Sequence, residues 1–163
     1  MNQRIHYLTR GAIIAALYAV LCHLQNLILP GSATWAIQMR LAEALCVLAF
    51  FTPAAVPGLT LGCLVFNLTF SAALPLDSLV GSLSMFLAAQ GMYMVRKKPV
   101  LGLFFPAIAN GVLVGWELTV YIGGGFWINA IYVAIGEAIV LLTVGAALYY
   151  AMKKRKLDIK LFA

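Results

Sequence analysis

The chain has 163 residues, of which 64% are hydrophobic and only 10% charged, against about 25% charged in an ordinary soluble domain. A water-soluble fold of this length has too little interior to hide so much apolar surface, so lipid is the expected solvent over most of the exterior. The net charge of +6 does not indicate nucleic acid, because the basic residues gather at the ends of apolar stretches and not along one aromatic-interleaved face.

The recurring apolar stretches predict an all-α integral membrane protein, a compact bundle of about six transmembrane helices. With no polar linker separating two halves, a single domain over residues 1–163 is expected, and apolar segments continue to Tyr150, which argues against a cleaved leader. The first span is expected over 11–29, stopped by Pro30 and Gly31, which remove an amide donor and loosen the backbone. A loop over 32–38 follows. The second span, 39–51, is short: about 13 residues rise about 20 Å as an α-helix, which is below crossing length. It must be extended by irregular turns or shielded by its neighbours.

Pro53 and Pro57 bracket the next turn, and a third span is expected over 58–72. Pro75 opens the fourth, 76–95, where its missing N–H would be unsatisfied anyway. The fifth is expected over 100–121 and the sixth over 126–152, separated by a turn of Gly123, Gly124 and Gly125. This triple glycine is not a phosphate-binding loop, since no Gly-Lys-Ser or Gly-Lys-Thr follows it.

Arg4 and Arg10 precede the first span, Arg96, Lys97 and Lys98 separate the fourth from the fifth, and Lys153, Lys154, Arg155, Lys156 and Lys160 crowd the tail. An even number of crossings places all three clusters on one face, so the positive-inside rule predicts that both termini are cytoplasmic in a multi-pass cell-membrane protein. Cys22, Cys46 and Cys63 lie in apolar stretches and are odd in number, so they read as small buried thiols and not as a disulfide framework. His6 and His23 lack ligand spacing; neither a metal site nor a cofactor is expected in this chain.

Glu43, Asp77, Glu117 and Glu137 sit within or beside spans, and only Asp158 lies in the polar tail. An uncompensated charge at a helix centre costs roughly 3 kcal/mol or more on insertion scales, so their presence needs a reason. On the predicted topology Arg40, Glu43, Asn67, Asp77 and Glu117 reach one outward membrane depth from four helices, while Asn110 and Glu137 lie deeper, as a floor. Arg40 and Glu43 are three residues apart and can pair on a shared helix face. Two readings stay open: polar groups that satisfy one another, or a ligand pocket. The excess of carboxyls over the lone Arg40 favours a small ligand that is cationic or rich in N–H donors, with aromatics such as Tyr18, Trp35 and Trp116 available as a wall or lid.

Gly11, Ala12, Ala15, Ala16 and Ala19 form a small-residue strip that lets another helix approach closely, either within the bundle or from another membrane subunit. The chain has no nucleotide-binding motif and no strong two-half repeat. Its size suits a binding module that works with a separate energised partner better than an alternating-access carrier.

An ordered set of motifs carries a family resemblance. Gln38-Met39-Arg40-Leu41-Ala42-Glu43-Ala44-Leu45, Gly62-Cys63-Leu64-Val65-Phe66-Asn67, Pro75-Leu76-Asp77-Ser78-Leu79-Val80-Gly81, Ala109-Asn110-Gly111 with Gly115-Trp116-Glu117, and Gly136-Glu137 resemble the QueT family. Members are substrate-binding S components of energy-coupling factor transporters, associated with uptake of queuosine precursors. The resemblance spans nearly the whole chain. It implies a non-enzymatic S component that docks on a membrane coupling subunit through the Gly11, Ala12, Ala15, Ala16 and Ala19 strip, with ATP used by two partner ATPase subunits. It also implies a 7-deazaguanine ligand, such as the aminomethyl base or queuine. Glu137 or Glu117 would receive the guanine-like edge, Asn67 and Asn110 would complete its hydrogen bonds, Glu43 or Asp77 would meet an aminomethyl cation, and Arg40 would orient a carboxylate. Trp116 would stand beside the ligand, and Trp35 and Gln38 would belong to a closing loop. The alternatives are a structural or assembly membrane protein with buried polar packing, or an S component for another vitamin or nucleobase.

Overall fold

The computed structural model describes residues 3–30, 32, 39–70 and 76–162. Helix α1 spans Gln3–Ile28, and a 3-10 helix, Leu41–Phe50, follows. Then come α2 (Ala55–Thr69), α3 (Asp77–Met94), the single turn α4 (Pro99–Gly102), α5 (Phe105–Tyr121) and α6 (Phe126–Val140). A π-helical segment, Leu141–Gly145, leads without a break into α7 (Ala146–Lys154), and α8 (Leu157–Phe162) ends the described chain. Trp35, Gln38 and Pro75 lie outside the described residues.

Three stretches, Gln3–Ile28, Pro99–Tyr121 and Phe126–Lys154, are long and apolar enough to cross a membrane. Large apolar side chains cover their outsides: Ile13 and Leu17 on α1, Ile108 and Val112 on α5, Ile131 and Ile135 on α6 are all exposed. A monomer in water rarely presents so continuous an apolar surface. The molecule is an all-α, multi-pass membrane-type bundle. The α4–α5 interruption has a local cause: Pro106 has no N–H to offer the carbonyl of Gly102 and its ring crowds that carbonyl, so the chain makes a turn at Leu103 and Phe104.

Helix α1 packs on α2, α2 on α3, α3 on α5 and α5 on α6, giving a wall in chain order. The 3-10 helix touches α1, α2, α3, α6, α7 and the π segment, and so fills the middle. Ala42, Cys46, Val47 and Ala49 in it have no exposure. The second span, too short to cross as an α-helix, is wound more tightly instead. Ten residues at about 2.0 Å rise reach about 20 Å, so the shorter element covers the depth estimated for 13 α-helical residues. Runs of 3-10 helix this long are uncommon. Here the narrow winding and the small residues Ala42, Ala44 and Ala49 let many neighbours close around one strand of backbone.

The first two long helices touch backbone to backbone. A Cβ on Gly58 would lie 2.7 Å from the Gly11 carbonyl oxygen, and one on Gly62 would lie 2.7 Å from that of Ala15. This contact divides the small-residue strip: Gly11 and Ala19 are buried and Ala15 is half-buried, whereas Ala12 and Ala16 are exposed. The strip is therefore two faces, because positions three or four apart stack while neighbours one apart turn about 100° around the axis.

The basic tail also departs from a simple polar end. Lys156 adopts a left-handed backbone (φ 52°), the chain reverses, and Leu157 and Phe162 of α8 pack against the core. Arg10 Nη1 donates to the Phe162 carbonyl at 3.2 Å, and Lys153 pairs with Asp158 at 2.8 Å.

Gly62→Leu is expected to destabilise the folded protein by about 1–3 kcal/mol through overpacking against α1, seen as a lower unfolding temperature in detergent. Ala12→Leu, on the exposed side of the same helix, is expected to leave that temperature unchanged.

Candidate functional site

Lipid offers no hydrogen bonds, so polar side chains that turn inward must meet one another or a ligand. Along α1 the buried positions Gly11, Ile14, Tyr18, Cys22 and Gln25 recur at helical spacing, which brings two polar side chains to the inner face. The Tyr18 hydroxyl donates to Glu43 Oε1 at 2.6 Å, and the Cys46 thiol donates to Glu43 Oε2 at 3.4 Å. Gln25 donates to the Met39 carbonyl at 2.6 Å and accepts from the Leu41 N–H at 2.7 Å. One amide thus fastens the start of the 3-10 helix to the end of α1, and with it Arg40 and Glu43.

Arg40 lies over the Phe66 ring, 5.8 Å from its centroid, and is close enough to act electrostatically on the carboxyls of Glu43, Glu117 and Glu137. On α2, the Asn67 amide donates to the Asp77 carbonyl at 2.7 Å, tying the end of α2 to the start of α3. Gly81 makes room for this bond, since a Cβ there would come within 2.8 Å of Asn67 Nδ2. The Asp77 and Glu117 carboxyls face each other closely enough to interact. Deeper in the bundle the Ser84 hydroxyl donates to Asn110 Oδ1, and Asn110 is also in reach of Glu137.

The polar residues form two connected tiers. Asn67, Asp77 and Glu117 make the upper one, Glu43, Asn110 and Glu137 the lower one, and Arg40 reaches carboxyls of both. These seven residues are each at most 6% exposed. The network is under-satisfied: among the described residues Asn67 Oδ1, both Glu117 carboxyl oxygens and Glu137 Oε2 are buried without a hydrogen-bond partner. Asn67 Oδ1 is an acceptor, and the carboxyl oxygens are acceptors when ionised, so the arrangement suits a guest that brings donors.

Trp116 is not brought into this group; it is 48% exposed, because the residue before Glu117 points about 100° away from it around α5. Trp35 and Gln38 fall outside the described residues. Sequence reasoning missed Ser84, Gln25 and the link from Tyr18 to Glu43. The signal was present in the helical spacing of Tyr18 and Gln25 from Gly11, and in Asp77, Val80, Ser84, Ala88 and Gly91, all buried on α3.

The profile of the QueT transporter family matches residues 8–154. The chain belongs to the QueT transporter family. Neither a curated protein nor a solved structure matches it. Every polar residue of the two tiers lies inside the span matched to the QueT family, as do Ala12 and Ala16, whereas α8 lies beyond it. As a QueT family member the protein is a membrane transport component and not an enzyme.

Tyr18→Phe leaves Glu43 Oε1 buried without its donor and is expected to cost about 1–3 kcal/mol of stability. Combined with Glu43→Gln in a double-mutant cycle, the two losses are expected to fall short of their sum by at least about 0.5 kcal/mol, measured by thermal unfolding in detergent. Simple additivity would show that the two groups do not depend on each other.

Proposed function

We propose that this chain is a single membrane substrate-binding domain over residues 1–163, the S component of an energy-coupling factor transporter, and that it captures a 7-deazaguanine precursor of queuosine. In this reading six segments cross the bilayer: α1, the 3-10 helix, α2, α3, α4–α5 and α6–α7. Both termini lie in the cytoplasm with the three basic clusters, as the positive-inside rule favours, and the acidic tiers open outward.

The observation that carries the reading is the set of orphan acceptors on Asn67, Glu117 and Glu137. Each buried acceptor without a donor costs on the order of 1–3 kcal/mol, and a ligand edge rich in N–H groups removes that penalty. A guanine-like edge presents adjacent donors that a carboxylate accepts in pairs. Glu137 or Glu117 takes that edge, with Asn67 and Asn110 completing its bonds. Glu43 or Asp77 meets the cation of an aminomethyl substituent. Arg40, set among the carboxyls, limits their mutual repulsion and orients them. Because all of these groups are buried, the ligand enters only when the outer covering moves, and the segment 30–38, with Trp35 and Gln38, is the natural element to close over it.

Transport then follows from binding outside, closure, docking on a membrane coupling subunit, and reorientation driven by ATP hydrolysis in two partner subunits. The exposed Ala12 and Ala16 offer the close-approach face for docking, while Gly11, Ala15 and Ala19 serve internal packing. No bond is made or broken in the ligand by this chain.

Mass spectrometry of small molecules retained by the purified protein, followed by calorimetric titration with aminomethyl-deazaguanine, guanine, flavin and thiamine, tests the assignment. The deazaguanine is expected to bind tightest, and Glu137→Gln to weaken it about tenfold or more, as expected for loss of a charged hydrogen bond. Equal affinities for wild type and variant would remove Glu137 from the ligand contact; tighter flavin or thiamine binding would replace the ligand class. Ala12→Trp with Ala16→Trp is expected to leave binding intact and abolish uptake in cells, and unchanged uptake would place the partner contact elsewhere.

A further inference from the structure

Several hydroxyls in the apolar helices turn back on their own backbone: Thr60, Ser82, Thr119 and Thr143 each donate to the carbonyl four residues earlier. Ser84 behaves differently. Fully buried on α3, it donates across the helix interface to Asn110 Oδ1 on α5, and the Asn110 amide in turn bonds the Glu137 carboxyl on α6. Glycine brings these last two helices close: a Cβ on Gly111 would lie 3.1 Å from the Ala130 carbonyl oxygen and 3.2 Å from the Ala134 Cβ, about one turn before Glu137. The chain from Ser84 to Glu137 thus ties three helices through one amide.

These bonds decide which end of the amide serves the site. An asparagine side chain has one oxygen acceptor and an NH2 group with two donors. With Oδ1 facing Ser84, the NH2 group is the end that meets Glu137; one N–H serves the carboxyl and the second is left for a guest beside it. A reversed amide would deprive the Ser84 hydroxyl of its acceptor, whatever the state of Glu137, and would set Oδ1 against the oxygens of an ionised Glu137. Asn67 is tied the opposite way. Its amide donates to the Asp77 carbonyl, and its Oδ1 is the buried atom without a hydrogen-bond partner. The two asparagines therefore differ in polarity, an acceptor at Asn67 and a donor at Asn110.

We propose that Asn110, held as a donor by Ser84, determines specificity by requiring a ring carbonyl beside the N–H that Glu137 receives. This role rests on the tiers being the deazaguanine site proposed above. Glu137 Oε2, buried without a hydrogen-bond partner, accepts the ring N–H when ionised, and the Asn110 N–H donates to the adjacent carbonyl. A guest with an amino group in place of that carbonyl sets N–H against N–H, and the unmatched buried donors are penalised. Ser84 touches no part of the guest. It is a positioning residue that acts through Asn110.

Calorimetric titration of the purified full chain in detergent tests this with aminomethyl-deazaguanine and its analogue carrying an amino group in place of the ring carbonyl. The readout is the ratio of the two affinities, which a change in the folded fraction does not move. Wild type is expected to prefer the carbonyl compound. Asn110→Ala should reduce that preference about fivefold and Ser84→Ala about threefold, as for loss of one hydrogen bond, and Ser84→Ala should change nothing further in the Asn110→Ala background. Ser84→Cys, close to serine in size but a weak donor, should fall between wild type and Ser84→Ala, and carries the test if Ser84→Ala folds poorly. Weakening of both compounds alike by Ser84→Ala, or the same change of ratio with Asn110 already removed, would reduce Ser84 to packing and overturn the proposal. Tight binding of both compounds by wild type with equal affinity would leave the tiers as the binding site and remove the role of Asn110 and Ser84 alone. Absence of deazaguanine binding by wild type would end the reading of the tiers, and this role with it.

Discussion

A single guanidinium among carboxyls is the interaction on which the interior depends. Arg40 acts on Glu43, Glu117 and Glu137 from the start of the central helix, and it offsets negative charge on whichever of those carboxyls is ionised, an effect that the low dielectric of the interior leaves largely unscreened. Removing one partner of a buried charged group is far more damaging than the pair is stabilising. The tiers are thus held as a unit. Among the described residues, buried oxygens of Asn67, Glu117 and Glu137 are left without a hydrogen-bond partner, a deficit that a guest rich in donors would relieve.

The 3-10 helix makes this arrangement possible. Its narrow winding lets α1, α2, α3, α6 and α7 all reach the same short element, so groups from distant parts of the chain meet where a wider α-helix would hold them apart. Gln25 and Tyr18 fix its register from one side, by the backbone at Leu41 and by the carboxyl of Glu43. Helix α1 therefore has two distinct tasks. Its inner face supports Glu43 through Tyr18, and its outer face exposes Ala12 and Ala16.

Two polar clusters lie far apart in the bundle. Asp77 at the start of α3 and Glu117 near the end of α5 face each other, while Arg10 near the start of α1 bonds the Phe162 carbonyl of α8, and Lys153 pairs with Asp158.

Composition and hydropathy alone determined the class of this protein, the approximate course of its apolar segments, and which polar residues were too costly in lipid to be incidental. Such properties are local: the solvent preference of a segment is set by its own side chains, so Glu117 and Glu137 stood out without knowledge of their neighbours, and the ordered motifs were enough to indicate the family. Tertiary structure decided what depends on distant segments meeting. It chose the 3-10 winding of Leu41–Phe50, which tight packing on several sides favours over local propensity. It turned Trp116 outward and Ser84 inward, gave Glu43 its donor from Tyr18, and folded α8 back onto Arg10. It split the alanines of α1 between Gly58 and Gly62 on one side and the exposed face on the other. A hydrogen bond or a backbone contact needs two partners at one place, and only the packing of the helices brings those partners together.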